Sequence, residues 1–414
     1  MNKIADPSLA EKGKMSYEWA YGHMPTLIRT IEMASKKTSF DGTRIAVCLH
    51  ITKETSVLVM GLKRLGADIY LAAANPLSTQ DDIAAFLASQ EIKVFAWSGQ
   101  NAEEYQECIR DILRSKPKII MDDGSDAHVT AHEEEEFKND KYIGGSEETT
   151  TGVVRIQALE KAGKLKYPII AVNNAYTKHL FDNRYGTGQS TFDGILRATS
   201  LLIAGKRIVV CGYGWVGRGI AVRARGLGGL VSVTEIDPLR ALESRMDGFD
   251  IRPMSELAKE GDIFITATGQ KHVISTKHIE SMKTGSILAN AGHFDIEIDV
   301  NGLEEMADNM GEVRNHVNEY KLKNGNSIFL IGNGRIANLV AAEGHPPEVM
   351  SLSFSNQLLA AARIYEKHSE FEPKVMDVPK DIDDQVSRNA LHAMGITIDQ
   401  QTDEQRKYGA SWLI

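Results

Sequence analysis

Three glycines in the stretch Gly212-x-Gly214-x-x-Gly217 have the spacing of a dinucleotide-binding turn. They follow the apolar run RIVVCG, which we predict to be a strand, and they precede a helical pattern. In this context Gly212 allows the tight turn, Gly214 lets the backbone approach a pyrophosphate, and Gly217 allows the helix to pack closely on the strand. The alternative is a glycine-rich turn in an α/β domain that binds no nucleotide, and the strand and helix on either side argue against it.

A carboxylate further along the chain supports the dinucleotide interpretation. Glu235 ends the next predicted strand about 20 residues later, where an acidic side chain accepts hydrogen bonds from ribose hydroxyls and repels a 2′-phosphate. We therefore predict NAD rather than NADP, although Arg240 lies nearby. Val216 in the glycine loop and Thr268 after a later strand are further candidate contacts to the cofactor.

Polar and titratable residues also collect where the other predicted strands end. Ligands of open parallel sheets bind outside the carboxyl ends of the strands. The residues at these ends are His50, Thr52, Glu54, Asn75, Trp97, Asp122, Asp123, Asp126, Asn173 and Asn174 in the first half, and Gly212, Glu235, Thr268, Asn290, His293 and Asn333 in the second. An isolated histidine after a strand is more often structural, but the clustering of His50, Asp123 and His293 at equivalent ends favours a catalytic cleft.

A lysine and a carboxylate are spaced to meet just before the second half. Lys178 and Asp182 are four residues apart, so one helical turn would place them on one face, and Asn183 follows directly. The simplest alternative is a surface ion pair that contributes little to stability. The segment precedes an apparent hinge into the cofactor unit, however, so its charged face would line the cleft. A lysine near NAD and near a carboxylate could help to deprotonate an alcohol.

Two series of alternating strands and helices must position these residues. Strands are predicted at 44–50, 68–75, 93–99, 118–126 and 168–175, and again at 207–212, 230–235, 262–269, 286–292 and 327–334. This repetition predicts an α/β fold with two doubly wound parallel sheets, Rossmann-like, and a cleft between them. The Gly/Thr-rich stretch 144–163 is predicted to start a helix, and 346–367 a long amphipathic helix that packs back on the first unit.

The predicted domains are residues 1–180 for substrate binding, with 346–393 packing back on them, residues 188–344 for NAD binding, and a C-terminal tail at 394–414. A formal net charge of −9 argues against a nucleic-acid partner. The sequence has no apolar signal core and no run of about 18 apolar residues, and its three cysteines are too dispersed for a disulfide framework. We expect a cytoplasmic protein with no membrane partner.

The motifs together resemble those of the S-adenosylhomocysteine hydrolase family. The matching stretches are CLHITKET (48–55), STQDD (78–82), DDGSD (122–126), SEETTTG (146–152), TKHLFDNRYG (177–186), GYGWVGRG (212–219), TEIDPLRAL (234–242), AGHFDIEID (291–299) and GHPPEVMSLSFSNQ (344–357). They run in the family's order over nearly the whole chain, and SEETTTG and GHFDIEID are the most specific.

The resemblance implies reversible hydrolysis of S-adenosyl-L-homocysteine with one NAD tightly bound per subunit as a built-in catalyst. Oxidation of the ribose 3′-hydroxyl makes the 4′ C–H acidic, homocysteine leaves from C5′, water adds to the enone, and the 3′-ketone is reduced again. The products are adenosine and L-homocysteine. The resemblance also implies a homotetramer and no metal.

Catalytic roles follow from the resemblance position by position. Lys178 is expected to assist removal of the 3′-hydroxyl proton, and Asn183 to orient this lysine. Asp123 is expected to be the base near C4′. His50 is expected to handle protons at the leaving sulfur and the attacking water, with His293 nearby.

Binding roles follow in the same way. The ribose hydroxyls are expected to be held by Glu148 and Asp182, and the rest of the substrate by Thr52, Glu54, Asp126 and His345. NAD is expected to contact Thr149, Thr150, Thr151, Glu235 and Asn338.

Four positions depart from the family pattern: Trp215 stands where many members have Asp, Thr187 and Gly188 where they have Cys-Arg, and Ser125 where they have Gly. Two alternatives stay open. The substrate could be S-inosyl-L-homocysteine, whose base carries an oxo group, but the carboxylate of Glu54 suits the adenine amino group better. The chain could also be a non-catalytic NAD-binding relative that regulates a partner, which the intact Lys178 and His50 argue against.

Overall fold

The computed structural model describes residues 2–412; Met1 and the last two residues of the predicted tail, Leu413 and Ile414, lie outside the described residues. The strands are β1 (Arg44–Cys48), β2 (Asp68–Ala72), β3 (Lys93–Phe95), β4 (Ile119–Asp122), β5 (Gly144–Glu147), β6 (Ile169–Ala171), β7 (Arg207–Cys211), β8 (Leu230–Thr234), β9 (Asp250–Ile251), β10 (Ile263–Thr266), β11 (Ser286–Asn290), β12 (Ala307–Arg314), β13 (Val317–Leu322), β14 (Ser327–Ile331) and β15 (Val375–Asp377).

The α-helices are α1 (Ala10–Gly22), α2 (Pro25–Ala34), α3 (Lys53–Arg64), α4 (Asp81–Ser89), α5 (Ala102–Arg114), α6 (Asp126–Glu133), α7 (Thr150–Lys161), α8 (Tyr176–His179), α9 (Thr187–Thr199), α10 (Trp215–Gly226), α11 (Pro238–Met246), α12 (Met254–Leu257), α13 (Thr276–Ser281), α14 (Val300–Met306), α15 (Ala337–Val340), α16 (Pro347–Lys367), α17 (Lys380–Ala393) and α18 (Asp403–Gly409). Within residues 2–412, no helix has the length and the apolar character that a membrane span requires.

The first sheet is parallel throughout and has the order β15-β6-β5-β4-β1-β2-β3. Its strand order reverses between β1 and β4, which creates a switch point where their carboxyl ends open a crevice. The late helix α16 packs on this sheet, because Phe354 and Leu358 join the same buried cluster as Ile45 and Leu62. The chain therefore returns to the first unit after it has built the second.

The second sheet has the order β12-β13-β14-β11-β10-β7-β8-β9. The strands from β14 to β9 are parallel, and β7 and β10 form its switch point. An antiparallel edge made by β12 and β13 was not predicted. The predicted fold class of two doubly wound α/β units is confirmed, with this antiparallel addition to the second.

One central strand was missed in the sequence. Gly144–Glu147 forms β5, between β4 and β6, just before α7. The residue types are poor strand formers, yet a Cβ on Gly145 would lie 2.3 Å from His128 Cε1, so a larger side chain would not fit there. The predicted domain boundaries stay predictions; the first sheet uses residues 44–171 and 375–377, and the second uses residues 207–331.

Candidate active site

The two switch points face one cleft of about 1680 Å³. The residues that line it from the first unit and the connecting segment include His50, Thr52, Glu54, Asp123, Glu148, Thr149, Thr150, Thr151, Lys178, Asp182, Asn183 and Thr187. Those that line it from the second unit and the segment after it include Gly212, Gly214, Val216, Glu235, Arg240, Thr268, His293, Asn338 and His345. The structure thus brings together all the predicted site residues except Asp126 and Gly217.

Lys178 is a buried cation at the centre of the cleft. It lies on α8, which ends one residue later, and Asp182 begins a π-helical turn at Asp182–Gly186. The pair meets just before this turn, with Lys178 Nζ 3.5 Å from Asp182 Oδ2; the same Nζ lies 3.8 Å from Glu148 Oε1 and 2.8 Å from Asn183 Oδ1. Burial disfavours the charged ammonium, but the carboxylates of Asp182 and Glu148 outweigh it and raise the pKa of Lys178.

The two carboxyl groups beside the lysine differ in their proton affinity. Burial raises the pKa of Glu148 to about 7, although the charge of Lys178 opposes this shift. Glu148 accepts hydrogen bonds from Gln357 Nε2 at 2.7 Å and from Ser353 Oγ. For Asp182, burial favours the neutral form, but Lys178 and His345 outweigh it and lower the pKa. At neutral pH Asp182 is a carboxylate, whereas Glu148 is close to its titration point.

Thr187 supports this cluster, and the sequence argument missed its contact. His345 Nδ1 lies 3.2 Å from Asp182 Oδ1, and its Nε2 lies 3.2 Å from Thr187 Oγ1. The hydroxyl of Thr187 thus fixes the orientation of the imidazole. His345 therefore pairs with the carboxylate beside Lys178 as well as lining the cleft.

Two histidines flank the proposed base. His50 Nε2 lies 3.5 Å from Asp123 Oδ2, and His293 Nδ1 lies 3.9 Å from Asp123 Oδ1. His50 Nδ1 is 2.6 Å from Ser78 Oγ. Burial lowers the pKa of His50 to about 4, so its ring is neutral at neutral pH and can accept a proton. These residue types could also hold a metal ion, since their ligand atoms lie within 4.8 Å of one another, and the predicted absence of a metal stays a prediction.

A buried carboxyl group lies at the far end of the first unit's crevice. Glu54 is 1% exposed, and its Oε1 lies 3.3 Å from Lys53 Nζ without forming a hydrogen bond. Burial raises the pKa of Glu54, against the opposing charge of Lys53. Met350 and Phe354 of α16 also line the cleft. The amphipathic pattern of α16 predicts packing but does not distinguish a core face from a ligand-facing one.

The glycine turn has the geometry that its spacing predicts. Gly212 has a φ of 98°, and a Cβ on Gly217 would lie 1.9 Å from the carbonyl oxygen of Gly212. Gly217 therefore sets the packing of α10 on β7 and does not line the cleft, as its predicted role requires. A Cβ on Gly214 would meet only Arg240 Nη1, at 3.8 Å, so the space in front of it is open. This open face at a helix N-terminus fits a pyrophosphate.

The donors and acceptors around the turn also fit NAD. Glu235 accepts hydrogen bonds from the backbone N–H groups of Tyr213, Ile236 and Asp237 at 2.7–3.0 Å, which fix its carboxylate beside the glycines. Thr151 Oγ1 and Asn338 Oδ1 are buried polar atoms of cleft residues that have no hydrogen-bond partner. A ligand with its own hydrogen-bonding groups would satisfy both atoms.

Asp126 is the one predicted substrate contact that the structure places elsewhere. Its Oδ2 accepts a hydrogen bond from Tyr105 at 2.9 Å, and its Oδ1 accepts one from Arg155 Nη1 at 2.7 Å. Arg155 also donates to the carbonyl oxygen of Gly124. Asp126 thus starts α6 and ties down the loop that carries Asp123 without lining the cleft, and its direct contact with the substrate stays a prediction.

Known proteins are similar to this chain over nearly its whole length. Residues 1–144 match the family S-adenosyl-L-homocysteine hydrolase, and residues 183–344 match S-adenosyl-L-homocysteine hydrolase, NAD binding domain. An adenosylhomocysteinase from Sulfurisphaera tokodaii is 56% identical over 99% of this chain and 98% of its own. Adenosylhomocysteinases from Aeropyrum pernix and Aquifex aeolicus are each 54% identical to this chain over 99% of its length. The matches cover 99% of the Aeropyrum pernix chain and 98% of the Aquifex aeolicus chain. With both matched segments lying on the units that form the cleft, the chain belongs to the S-adenosyl-L-homocysteine hydrolase family.

Proposed function

We propose that the cleft hydrolyses S-adenosyl-L-homocysteine to adenosine and L-homocysteine, reversibly, with a resident NAD. The observation that carries this proposal is the buried Lys178 ammonium, which lies between two carboxyl groups in a cleft whose opposite wall is the glycine turn. When bound, NAD supplies a reversible two-electron oxidation at C3′ of the ribose. The residues of this chain bind the two molecules, exclude water and move protons.

Lys178 assists the loss of the 3′-hydroxyl proton. Its Nζ already has Asn183, Asp182 and Glu148 as neighbours, so the ammonium is held in place before the substrate binds. Glu148 and Asp182 are the acceptors for the ribose hydroxyls. Because burial brings the pKa of Glu148 to about 7, it can exchange a proton with the hydroxyl it holds near neutral pH.

Asp123 and His50 act on the other side of the sugar. Oxidation at C3′ makes the 4′ C–H acidic, and Asp123 removes this proton. Burial lowers the pKa of His50 to about 4, so its ring is neutral at the start of this step. Its Nε2, 3.5 Å from Asp123 Oδ2, receives the C4′ proton from Asp123 and passes it to the leaving thiolate. His293 lies on the opposite side of Asp123 and is the second candidate for this transfer.

Glu54 selects the base of the substrate. Its buried carboxyl group has one oxygen without a hydrogen bond, and an adenine amino group would satisfy it, whereas the oxo group of hypoxanthine would be repelled. We expect Glu54→Gln to reduce the preference for the adenosyl over the inosyl thioether by about 10-fold, because Gln offers both an acceptor and a donor. The ratio of kcat/KM for the two thioethers measures this; an unchanged ratio would remove Glu54 from base recognition.

On the NAD side we assign the binding roles to Thr149, Thr150, Thr151, Gly212, Gly214, Val216, Glu235, Arg240, Thr268 and Asn338. The unpartnered atoms of Thr151 and Asn338 support this assignment. Mass spectrometry of the nucleotide released from purified protein would test it directly.

The decisive assay is thiol release from S-adenosyl-L-homocysteine by the purified protein. We expect multiple turnovers without net accumulation of reduced nicotinamide, because the oxidation is reversed within each cycle. Preference for S-inosyl-L-homocysteine would favour the first alternative. NAD-loaded protein that releases no thiol from either compound would favour a regulatory relative.

We also propose that the chain works as a homotetramer in the cytoplasm. Three buried free cysteines suit a reducing compartment, and the tetramer rests on the family alone. Light scattering coupled to size-exclusion chromatography would measure the assembly state, and a mass other than that of four chains would correct it. The domain division at residues 180 and 188 is testable by limited proteolysis of this connecting segment.

A further inference from the structure

Glu147 is a buried carboxyl group that none of the proposed catalytic steps uses. It ends β5, directly before Glu148, and is 0% exposed. Its Oε1 accepts hydrogen bonds from the backbone N–H groups of Gly124 at 2.8 Å and Thr149 at 2.9 Å. Its Oε2 lies 2.7 Å from Ser125 Oγ. One side chain thus joins the loop that carries Asp123 to the start of the threonine segment on the cofactor side.

A second buried carboxyl group lies beside it. Oxygens of Asp122 and Glu147 and a ring nitrogen of His128 lie within 4.8 Å of one another, and all three residues are fully buried. The oxygens of Asp122 accept hydrogen bonds from the backbone N–H groups of Asp123 and His128, each at 2.9 Å. The imidazole of His128 contacts Tyr167 and the carbonyl oxygen of Ser146. Every one of these polar groups therefore has a protein partner, and the cluster needs no cation.

Two carboxylates this close inside the protein repel each other, so one must carry a proton. Both oxygens of Asp122 face backbone N–H groups, which only an acceptor can satisfy. At Glu147, both N–H groups go to Oε1, and Oε2 faces a hydroxyl that can accept as well as donate. The proton therefore fits on Glu147 Oε2, donated to Ser125 Oγ, with Oε1 as the carbonyl acceptor.

We propose that Glu147 is a positioning residue, and that in its neutral form it holds the Asp123 loop and the Thr149 segment at a fixed distance from each other on the first unit's side of the cleft. The importance of the Asp123 loop rests on the proposed function. The protonation state of Glu147 does not depend on that function. Burial, reinforced by the charges of Asp122 and Asp123, raises the pKa of Glu147 well above its usual range, in agreement with the geometry.

Ser125 takes part in this arrangement from a strained backbone position. Its φ is 67°, a left-handed conformation that favours glycine, and glycine is the residue the family pattern predicts here. The contact between its hydroxyl and Glu147 Oε2 offsets that backbone strain. Gly152 provides the space, because a Cβ there would lie 2.2 Å from Glu147 Oε1.

The first test compares two substitutions. Glu147→Gln can keep every contact, with its amide oxygen in place of Oε1 and its NH2 group donating to Ser125 Oγ, so we expect kcat within about 3-fold of wild type. Glu147→Ala loses all three contacts and should lower kcat about 100-fold with a smaller change in KM. Solvent-deuterium exchange at C4′ of bound adenosine should fall further than reduction of the bound nicotinamide by adenosine.

A buried control is available far from the cleft. Thr30 on α2 donates to the carbonyl oxygen of Thr26 at 2.8 Å and accepts from Asn389 Nδ2 at 3.0 Å. Thr30→Val should lower Tm and leave kcat unchanged. Two results would overturn the proposal. One is a wild-type kcat for Glu147→Ala; the other is a folded Glu147→Gln variant whose kcat falls as far as that of Glu147→Ala.

The second test measures the protonation state of Glu147 through the pH dependence of Tm, and it does not require enzymatic activity. The titratable and charged groups around Glu147 are Cys48 on β1, Asp122 and Asp123 at the end of β4, Asp126 and His128 on α6, Glu148 after β5, and Arg155 on α7. All of them are present in both wild type and Glu147→Gln, so the difference between the two proteins isolates Glu147.

The sign follows from linkage. A carboxyl group whose pKa is raised on folding binds more protons when folded, so its stabilisation is present at low pH and is lost as pH rises toward the folded pKa. Glutamine has no such loss. The Tm of Glu147→Gln minus that of wild type should therefore increase from about pH 5 to about pH 8. A flat or falling difference would overturn the neutral form, even if the wild type releases no thiol and the proposed function itself fails.

Discussion

Each unit has one buried glutamate that holds a cleft loop, and the two glutamates are bonded differently. Glu147 in the first unit accepts two backbone N–H groups on one oxygen and faces a hydroxyl with the other. Glu297 in the second unit accepts the N–H and hydroxyl of Thr268 on Oε2, at 2.9 and 2.8 Å, and the N–H of Gly269 on Oε1, at 2.8 Å.

The difference follows from the surroundings. Glu147 lies among Asp122 and Asp123, which disfavour another negative charge. At Glu297 burial raises the pKa, but both oxygens receive backbone N–H groups that oppose this shift. Glu147 is thus suited to be a neutral acid in the unit that moves protons. Glu297 is suited to be a carboxylate, with two accepting oxygens, in the unit that binds the cofactor. The first edge brings Asp123, Glu148, Lys178 and Asp182 together, whereas the second presents the glycine turn with Glu235 and Arg240 beside it.

The largest effect should come from removing the charge at the centre of the first edge. Lys178→Met keeps much of the side-chain volume but loses the ammonium that faces Asp182 and Glu148, so we expect kcat to fall about 1000-fold. NAD retention should be unchanged, because the cofactor edge is untouched. Stopped-flow reduction of bound nicotinamide by adenosine would locate the loss in the oxidation step.

A matched lysine controls for loss of charge alone. Lys164 forms an exposed ion pair with Glu133, 2.9 Å apart, and Lys164→Ala should leave kcat unchanged. Unaltered reduction of the nicotinamide in Lys178→Met would show that the proton transfer belongs to another group, and the contrast between the two edges would lose its main support.

The two glutamates can be compared by the same substitution. In Glu297→Gln the amide NH2 group replaces one of the two carboxylate oxygens. It then faces the backbone N–H of Gly269 in one orientation and that of Thr268 in the other. In either case a buried N–H donor loses its acceptor. We expect a loss of about 2 kcal/mol in the free energy of unfolding and weaker NAD binding. Glu147→Gln should lose less than half as much near neutral pH. Urea unfolding of both variants measures the difference; equal losses would mean that the two sites do not differ in protonation.

The sequence predicted the alternation of strands and helices because apolar runs and helical spacing are local signals. It also predicted most cleft residues, since polar side chains at strand ends must meet at one edge of a parallel sheet. It missed β5, where Gly144 and Gly145 lack strand propensity and the contact with His128 decides the conformation. It missed β15 because three residues carry no period that could be detected.

The supporting contacts were beyond a pattern-based argument. Glu147 and Glu297 both lie in quoted motifs, yet nothing in residue type distinguishes a side chain that holds a loop from one that contacts a ligand. The displacement of Asp126 from the cleft has the same cause, because its partners Tyr105 and Arg155 come from distant helices. Spacing identifies which residues reach the carboxyl edge of a sheet. Only the folded structure shows which of these residues form hydrogen bonds with other protein groups.

The smallest effect should come from a single side chain of the cofactor edge, Glu235. Glu235→Ala removes the acceptor for the ribose hydroxyls and the repulsion of a 2′-phosphate, so the ratio of NADP to NAD affinity should rise about 10-fold. Calorimetric titration of nucleotide-free protein measures both constants. Glu260→Ala is a suitable control, since Glu260 pairs with Arg207 at the opposite end of β7, 3.0 Å away. An affinity ratio that stays at the wild-type value would mean that backbone groups alone select the nucleotide. The second edge would then depend on side-chain charge even less than we propose.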